Sequence, residues 1–316
     1  MGCRGCRSAR PACRAAPDRR WRAGAGAASR RRDVSTAPIR PPPGAHSPVA
    51  VLTRPAGQSA WLAGQLAEYG IEPLEFPLLE ILPVPDDMPL RAALANLPHY
   101  ALVCFVSPNA VRHALEKLPC PWPGHVAAAV VGPGSAGALA DFGIAAPDVE
   151  VFQPPAGPNA RFDSDTLLTV LPLARFAGRR VLLVRGDGGR DLLLDRLREA
   201  GALVDVVSAY VRRCPTPPGT LWRALDTRLA SGRPISLTLT SSEAVGNLDA
   251  LTRAHFDAAE RVRLHRADCF TSHERIAKTA RAAGFGRITL CGAGDRNLLQ
   301  ALKSWANPYL AKHADR

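Results

Sequence analysis

The stretch VLLVRGDGGRDLLLDRLREAGALVDVVSAYVRR, residues 181–213, decides the fold class of this chain. An apolar run at its start is typical of a buried strand, and a glycine-rich turn leads into leucines at helical spacing. Gly201 predicts the end of that helix, and a second β-rich run follows. A strand–helix–strand unit of this kind predicts a parallel sheet in an α/β fold. The first turn places unpaired N–H groups beside Arg185, which favours an anion.

Two other junctions repeat each other. CFVSPNAVRHAL (104–115) and LTLTSSEAVGNL (237–248) both indicate a strand, a turn with a hydroxyl residue and a helix. Each is followed by another strand, turn and helix, at 129–143 and 268–284. The repetition predicts two related α/β lobes, each with a parallel sheet flanked by helices.

Extended, proline-containing segments predict where the chain crosses between these lobes. They lie near 76–85 and 208–216. We therefore expect a discontinuous first lobe, residues 48–80 plus 213–310, and a second lobe formed by the insert, residues 84–208. A cleft lined by the carboxyl ends of the strands is expected between the lobes.

The net charge of +12 is concentrated at one end of the chain. Eleven arginines and only two aspartates lie in residues 1–47, so residues 48–316 carry only +3 of the total. The near-neutral remainder gives no reason to expect a nucleic-acid partner. No apolar run is long enough to cross a membrane.

Residues 1–47 are interpreted as a disordered basic extension, because they are rich in arginine, alanine and proline and lack a periodic apolar face. A transit peptide and an upstream start codon wrongly chosen are both compatible with this composition, whereas a secretory signal is not. Cys3 and Cys6 have metal or redox spacing but no second pair nearby. The cysteine pattern as a whole suits a reducing cytosol.

Hydroxyl residues follow several of the predicted strands: Ser107, Ser135, Ser241, Ser242 and Thr271. Taken singly, each is interpreted as a helix N-cap. Together, hydroxyls, backbone donors and positive helix ends from two lobes would suit a polyanion. Thr271 and Glu274 also have the spacing of a capping box, and a final helix is expected from Asp295 to about Trp305.

The turn at 132–137 formally matches GxGxxG, but it lies mid-lobe and contains a proline. It is compatible with dinucleotide binding and with a tight turn that holds a carboxylate. His273 and Arg275 are candidate carboxylate contacts or surface residues, and no cluster around them suggests a metal. Tyr210 is either a weak acid at the cleft or a half-buried strand aromatic.

In their order along the chain, these motifs resemble the uroporphyrinogen-III synthase (HemD) family over about residues 49–305. The motifs that carry the resemblance are TRP at 53–55, FVSPNAV at 105–111, VGPGSAGAL at 131–139, LTSSEAV at 239–245 and SHERIAKTARAAGF at 272–285.

The resemblance implies two flavodoxin-like lobes joined by a two-stranded connector, in a cytoplasmic monomer with no cofactor and no metal. It implies that hydroxymethylbilane, a linear tetrapyrrole with eight carboxylates, is cyclised to uroporphyrinogen III with inversion of ring D and loss of water. Hydroxymethylbilane synthase would be the upstream donor of this substrate.

The resemblance also assigns site residues. Tyr210 matches the family tyrosine thought to assist loss of the ring A hydroxyl, so it is the expected catalytic residue. Ser135 replaces the family's usual threonine, and His273 begins a turn that differs from that of many members. The expected substrate-binding residues are Arg54, Ser107, Asn109, Ser135, Arg185, Gly186, Ser241, Ser242, His273 and Arg275.

Two other functions remain open from the residues. A non-catalytic bilobal receptor or sensor for anions would bind without turnover, and such receptors usually carry an export signal. A nucleotide-sugar transferase would need a nucleotide-binding set, which the sequence does not clearly supply.

Overall fold

The computed structural model describes residues 46–155, 157, 162–189 and 191–314. Most of the predicted basic extension, with Cys3 and Cys6, lies outside these residues. The described chain contains two mainly parallel sheets with helices on both faces, and the predicted two-lobed α/β fold is confirmed.

The strands, in chain order, are β1 (Val49–Leu52), β2 (Glu72–Glu75), β3 (Glu80–Pro83), β4 (Leu102–Phe105), β5 (Ala127–Val130), β6 (Val151–Phe152), β7 (Arg180–Gly186), β8 (Leu203–Arg213), β9 (Ile235–Leu239), β10 (Asp268–Thr271) and β11 (Ile288–Leu290). The helices are α1 (Ala60–Glu68), α2 (Met88–Ala95), α3 (Pro108–Leu115), α4 (Pro133–Asp141), α5 (Ser164–Val170), α6 (Leu192–Glu199), α7 (Gly219–Ala230), α8 (Ser242–His255), α9 (Ala258–His265), α10 (Glu274–Ala282) and α11 (Asp295–Ala314).

The first sheet, with the order β2-β1-β9-β10-β11, is entirely parallel. We call this sheet and its helices the first lobe. Separate apolar clusters cover its two faces, one including Leu62 and Leu302, the other Trp222 and Leu248. Since neither face meets water, strands such as β1 are apolar throughout and do not alternate.

The second sheet has the order β6-β5-β4-β7-β8-β3, and it is parallel except for β3. We call it, with α2 to α6, the second lobe. Leu182 and Val184 of β7 face one apolar cluster, and Val181 and Leu183 face the other. The apolar run at residues 181–184 therefore belongs to a central strand buried on both sides.

The two lobes have the same design in a different chain order. Val49 pairs with Glu72 in the first lobe, and Arg180 pairs with Leu203 at the corresponding position in the second. β7 and β8 thus correspond to β1 and β2, while β4 and β5 correspond to β9 and β10. The first lobe has the flavodoxin-like order 2-1-3-4-5 in its own strand numbers. The second lobe is a circular permutation of it.

The two-stranded connector is confirmed. β8 continues beyond its own sheet and pairs antiparallel with β3, in a register from Glu80–Arg213 to Pro83–Tyr210. β3 follows β2, the edge strand of the first sheet, and β8 pairs with β7 of the second sheet, so the ribbon joins the two sheets.

Several local predictions were wrong. Ser135 and Ser242 are not N-caps, because Gly132 caps α4 and Ser241 caps α8. Thr271 is the last residue of β10 and not a cap, because the N-cap of α10 is His273. α9, which was not predicted, carries the capping box that does form, between Asp257 and Glu260. α11 continues through Pro308 and past Trp305.

Candidate active site

Tyr210 lies at the carboxyl end of the second sheet, where β8 leaves it. Arg185 pairs with Ser208 and Gly186 with Tyr210, so Ala209 is the extra residue of a β-bulge. A methyl group on Gly186 would lie 2.7 Å from the Tyr210 ring. The ring therefore packs directly on the backbone of β7, an approach that only glycine permits. Tyr210 is 3% exposed.

Ser107 holds the phenol hydroxyl. It is the N-cap of α3, as predicted, and its Oγ accepts a hydrogen bond of 3.1 Å from the Ala110 N–H. The same Oγ lies 3.1 Å from the hydroxyl oxygen of Tyr210. The phenol oxygen is thus joined to the positive end of α3 through one hydroxyl.

His113 supports the tyrosine ring from α3. The two rings are stacked with centroids 5.8 Å apart and an angle of 29° between their planes. Burial lowers the pKa of His113, Lys117 acts in the same direction and Glu116 opposes them. A lowered pKa leaves the imidazole neutral at pH 7, so it packs without adding a charge next to the phenol.

The candidate anchors Arg54 and Arg185 occupy corresponding positions at the ends of β1 and β7, and each is paired with an acid. Arg185 Nη1 lies 2.7 Å from Asp191 Oδ1, within its own turn. Arg54 pairs with Asp295 at the start of α11. The side chain of Arg54 is 21% exposed and that of Arg185 is 20% exposed. Both guanidinium groups therefore reach the surface while already holding a carboxylate.

Ser135 and Gly132 form the turn between β5 and α4. Gly132 is the N-cap, and Ser135 is the third helical residue and only 2% exposed. A Cβ on Gly132 would lie 2.8 Å from that of Phe162, so this glycine is required for space. The turn is tight and packed, and its strand is the second of the lobe, which does not fit the dinucleotide interpretation.

The first-lobe candidates lie on the corresponding turns. Ser241 caps α8 by accepting from the N–H groups of Glu243 and Ala244, at 3.2 and 3.5 Å. Within the described residues, the Ser242 hydroxyl is buried without a hydrogen-bond partner. His273 occupies the N-cap position of α10, and Arg275 is exposed in its first turn.

Two contacts join the carboxyl ends of the two sheets. Gln58 Nε2 donates to Asn109 Oδ1 at 3.0 Å, and Arg212 Nε lies 2.8 Å from Glu243 Oε2. The structure brings Tyr210, Ser107 and Gly186 together, whereas Asn109 contacts Gln58 of the first lobe. Ser241, Ser242, His273 and Arg275 lie on the other side of these contacts.

The first-lobe position corresponding to Tyr210 is Leu79, and that corresponding to Gly186 is Pro55. Both line a cavity of about 320 Å³ beside the connector, together with Ile81 and prolines 215, 217 and 218. We call it the connector cavity. The first lobe therefore has an apolar cavity at the position where the second lobe has the Tyr210 phenol.

Sequence reasoning missed His113, Asp191 and Asp295. His113 meets a ring from a distant strand and Asp295 meets Arg54 from the other end of the chain, so nothing near either residue in the sequence indicates its partner. Asp191 lies only 6 residues after its partner Arg185, and the local sequence could have indicated that pair. Among the described residues, no group of three or more histidine, cysteine or acidic side chains is arranged to hold a metal. No helix in this part of the chain could span a membrane.

Comparison with known proteins places these features in a family. The sequence model for uroporphyrinogen-III synthase HemD matches residues 61–291. The uroporphyrinogen-III synthase of Synechococcus elongatus is 34% identical over 211 residues, 62% of this chain and 72% of that protein. The enzyme of the same name from Salmonella typhimurium is 30% identical over 261 residues, 80% of this chain and 99% of that protein.

Solved structures share the fold. A mutant uroporphyrinogen III synthase from the extreme thermophile Thermus thermophilus superposes with a TM-score of 0.51 at 20% identity, covering 84% of this chain and all of that one. Uroporphyrinogen-III synthetase from Helicobacter pylori gives a TM-score of 0.50 at 15% identity, covering 81% and 99%. At these identities the likeness concerns the fold alone.

Proposed function

The chain belongs to the uroporphyrinogen-III synthase HemD family, and on that premise we propose that it converts hydroxymethylbilane to uroporphyrinogen III, with Tyr210 as the catalytic acid. It is a cyclising lyase of tetrapyrrole biosynthesis. The family favours an enzyme over a non-catalytic receptor or sensor.

One observation carries the proposal for Tyr210: its phenol oxygen lies 3.1 Å from Ser107 Oγ at the start of α3. A phenol held there is placed to donate a proton to the ring A hydroxyl, which leaves as water. The resulting cation is attacked by the substituted carbon of ring D, and the spiro intermediate fragments and recloses as the type III isomer. The proton released as the last pyrrole ring is restored returns to the phenolate.

Arg54 and Arg185 are proposed to anchor substrate carboxylates from the two lobes. Each guanidinium already holds a protein carboxylate at the surface, so a substrate carboxylate enters by exchange with Asp295 or Asp191. Ser241, Ser242, His273 and Arg275 would add donors from the first lobe, and Ser135 and Asn109 from the second.

Most of the catalytic advantage would come from holding one folded shape of the substrate. Hydroxymethylbilane closes spontaneously without rearrangement, so the enzyme must favour attack by the substituted carbon of ring D. Tyr210 is buried in this structure, so the substrate would reach it by separation of the two lobes, which changes the Gln58–Asn109 and Arg212–Glu243 contacts.

The setting is proposed as a cytoplasmic monomer that receives its substrate from hydroxymethylbilane synthase. The described cysteines are free thiols, which suits a reducing compartment. Sedimentation at micromolar concentration should give the monomer mass, and a dimer would contradict that part of the proposal.

The test is an isomer assay with freshly made hydroxymethylbilane. The product is oxidised and the type I and type III porphyrins are separated. We expect mainly type III product from the native protein, and a fall in kcat of about a hundredfold or more for Tyr210→Phe, the range of a lost general acid.

Tyr100→Phe is the matched control. Tyr100 is also 3% exposed and its hydroxyl donates to Asp205 at 2.8 Å, but it precedes β4 at the opposite edge of the same sheet. It should lose stability without losing turnover. Type I product alone, at the rate without enzyme, would contradict the proposed function, and a fully active Tyr210→Phe would remove the role of the phenol.

A further inference from the structure

We infer that Ser107 is a positioning residue of the reaction, whose hydroxyl donates to the Tyr210 oxygen and stabilises the phenolate that forms when Tyr210 gives up its proton. This inference rests on the proposed function. It assigns Ser107 a role toward another side chain of the enzyme, in place of the substrate contact predicted from the sequence.

The Ser107 hydroxyl has two lone pairs and one proton. The Ala110 N–H already donates to Oγ at 3.1 Å, as in other N-caps. The serine O–H remains available, and the phenol oxygen 3.1 Å away is an acceptor within its reach. In the proposed arrangement, donation runs from the Ala110 N–H to Ser107 and from the Ser107 O–H to the Tyr210 oxygen.

This direction matters for the chemistry. If the phenol donated to Ser107, its proton would be committed to the serine and could not go to the leaving hydroxyl. When Ser107 donates, the phenol proton is free for the substrate, and the developing negative charge meets a donor at the positive end of α3. Proton and charge balance because the phenolate recovers a proton when the macrocycle is complete.

The surrounding packing fixes the oxygen in place. The Tyr210 ring lies against the backbone of Gly186 and is stacked with His113. Gly186 and His113 thus fix the position of the ring, so the phenol oxygen stays within hydrogen-bond distance of Ser107.

The first lobe supplies a natural control. Ser241 caps α8 as Ser107 caps α3, but the residue corresponding to Tyr210 is Leu79, which has no hydroxyl. Ser107→Ala and Ser241→Ala each lose one cap, at a similar cost in helix stability. Only Ser107→Ala loses a donor to the phenol.

The experiment is a double-mutant cycle on kcat in the isomer assay, using the full chain. We expect Ser107→Ala to lower kcat about tenfold or more, the effect of a hydrogen bond to a charged group, with a smaller change in KM. In the Tyr210→Phe background, Ser107→Ala should have little further effect on kcat. Ser241→Ala and Tyr210→Phe should combine additively, because those residues do not share a contact.

Two further variants separate the donor from the cap. Ser107→Thr keeps both and should restore most of kcat. Ser107→Asp keeps the cap but offers no donor when ionised, so kcat should stay low in a folded protein; this variant also covers the case in which Ser107→Ala does not fold.

Additivity of Ser107→Ala with Tyr210→Phe, or full activity of Ser107→Asp, would overturn the inference while leaving the proposed function in place. Failure of Tyr210→Phe to slow turnover would instead remove the role of the phenol itself. The two failures are therefore distinguishable.

Discussion

The two lobes share one framework and differ at the position proposed for the catalytic acid. Each has an arginine at the carboxyl end of its first framework strand, paired with an acid, and each has a serine-capped helix after its third. Where the second lobe has Gly186 and Tyr210, the first has Pro55 and Leu79 around the connector cavity. On the proposed function, both lobes would hold carboxylates of the substrate, and the phenol of the second lobe would supply the proton.

The largest effect is expected from a substitution that fills the space occupied by the Tyr210 ring. Gly186→Ala should place a methyl group 2.7 Å from the Tyr210 ring, displace the hydroxyl from Ser107 and lower kcat about a hundredfold. Overpacking should also reduce the free energy of unfolding by about 1–3 kcal/mol. Turnover in the isomer assay and urea denaturation measure the two effects.

Gly246→Ala, in α8 of the first lobe, is the control for that substitution. A Cβ there meets nothing within 4 Å, so the variant should keep its turnover and gain about 0.5–1 kcal/mol of stability from a better helix former. A Gly186→Ala protein with native turnover would show that the close approach is not needed.

Substitution of Arg54 and Arg185 tests whether both lobes bind carboxylates of the substrate. Arg54→Gln and Arg185→Gln should each raise KM about tenfold with a smaller change in kcat, because each removes one charged contact to a substrate carboxylate. Arg196→Gln, on the surface of α6 and paired with Glu199, should change neither. If only one of the two anchors affected KM, the lobes would not share substrate binding equally.

The smallest expected effect concerns one histidine in each lobe. Burial lowers the pKa of His113, and it lowers that of His265, where nearby Arg261 adds to it. Below about pH 6.5, the ordinary pKa of histidine, these two side chains therefore bind more protons in the unfolded chain than in the folded protein. The free energy of unfolding should fall as the pH drops below that value. His113→Gln and His265→Gln should each reduce the loss between pH 7.5 and 5.5, measured by urea denaturation.

Turnover separates these two histidines. His113 is stacked with Tyr210, whereas His265 packs against Phe285. At pH 7.5 only His113→Gln should slow the reaction. Equal turnover in both variants would mean that stacking does not position the phenol.

The sequence predicted the framework well where local chemistry determines structure. Ser107 followed by Pro108 indicates an N-cap and first helical residue, and both occupy those positions. The repeated strand–turn–helix junctions predicted two lobes, because parallel strands need helical crossovers and buried apolar runs.

The capping box was predicted at the wrong place, because the prediction used only the spacing of residues in the sequence. Thr271 and Glu274 have the right separation, but Thr271 pairs with Leu239 and Leu290 in the sheet, so it cannot be a cap. Asp257 and Glu260 are free of a sheet and form the box. The final helix was predicted to end near Trp305, yet α11 continues through Pro308 to Ala314, because packing outweighs local preference in a long helix.

Tyr210 was predicted as a candidate, but its surroundings were not. The bulge at Ala209, the approach to Gly186 and the stacking with His113 all depend on contacts between strands and helices that are distant in sequence. Such contacts leave no pattern in a single sequence, since no periodicity links their members.

The insertion of the second lobe into the first has a consequence for the order of synthesis. Thr53 at the end of β1 hydrogen-bonds Thr238, 185 residues later in the chain. The central pairing of the first lobe must therefore wait until β9 leaves the ribosome, while every strand of the second lobe has already been made. Long-range pairing of this kind is slow and leaves strand edges exposed in the nascent chain. The lobe that holds the phenol can be complete before the lobe that begins the chain has formed its sheet.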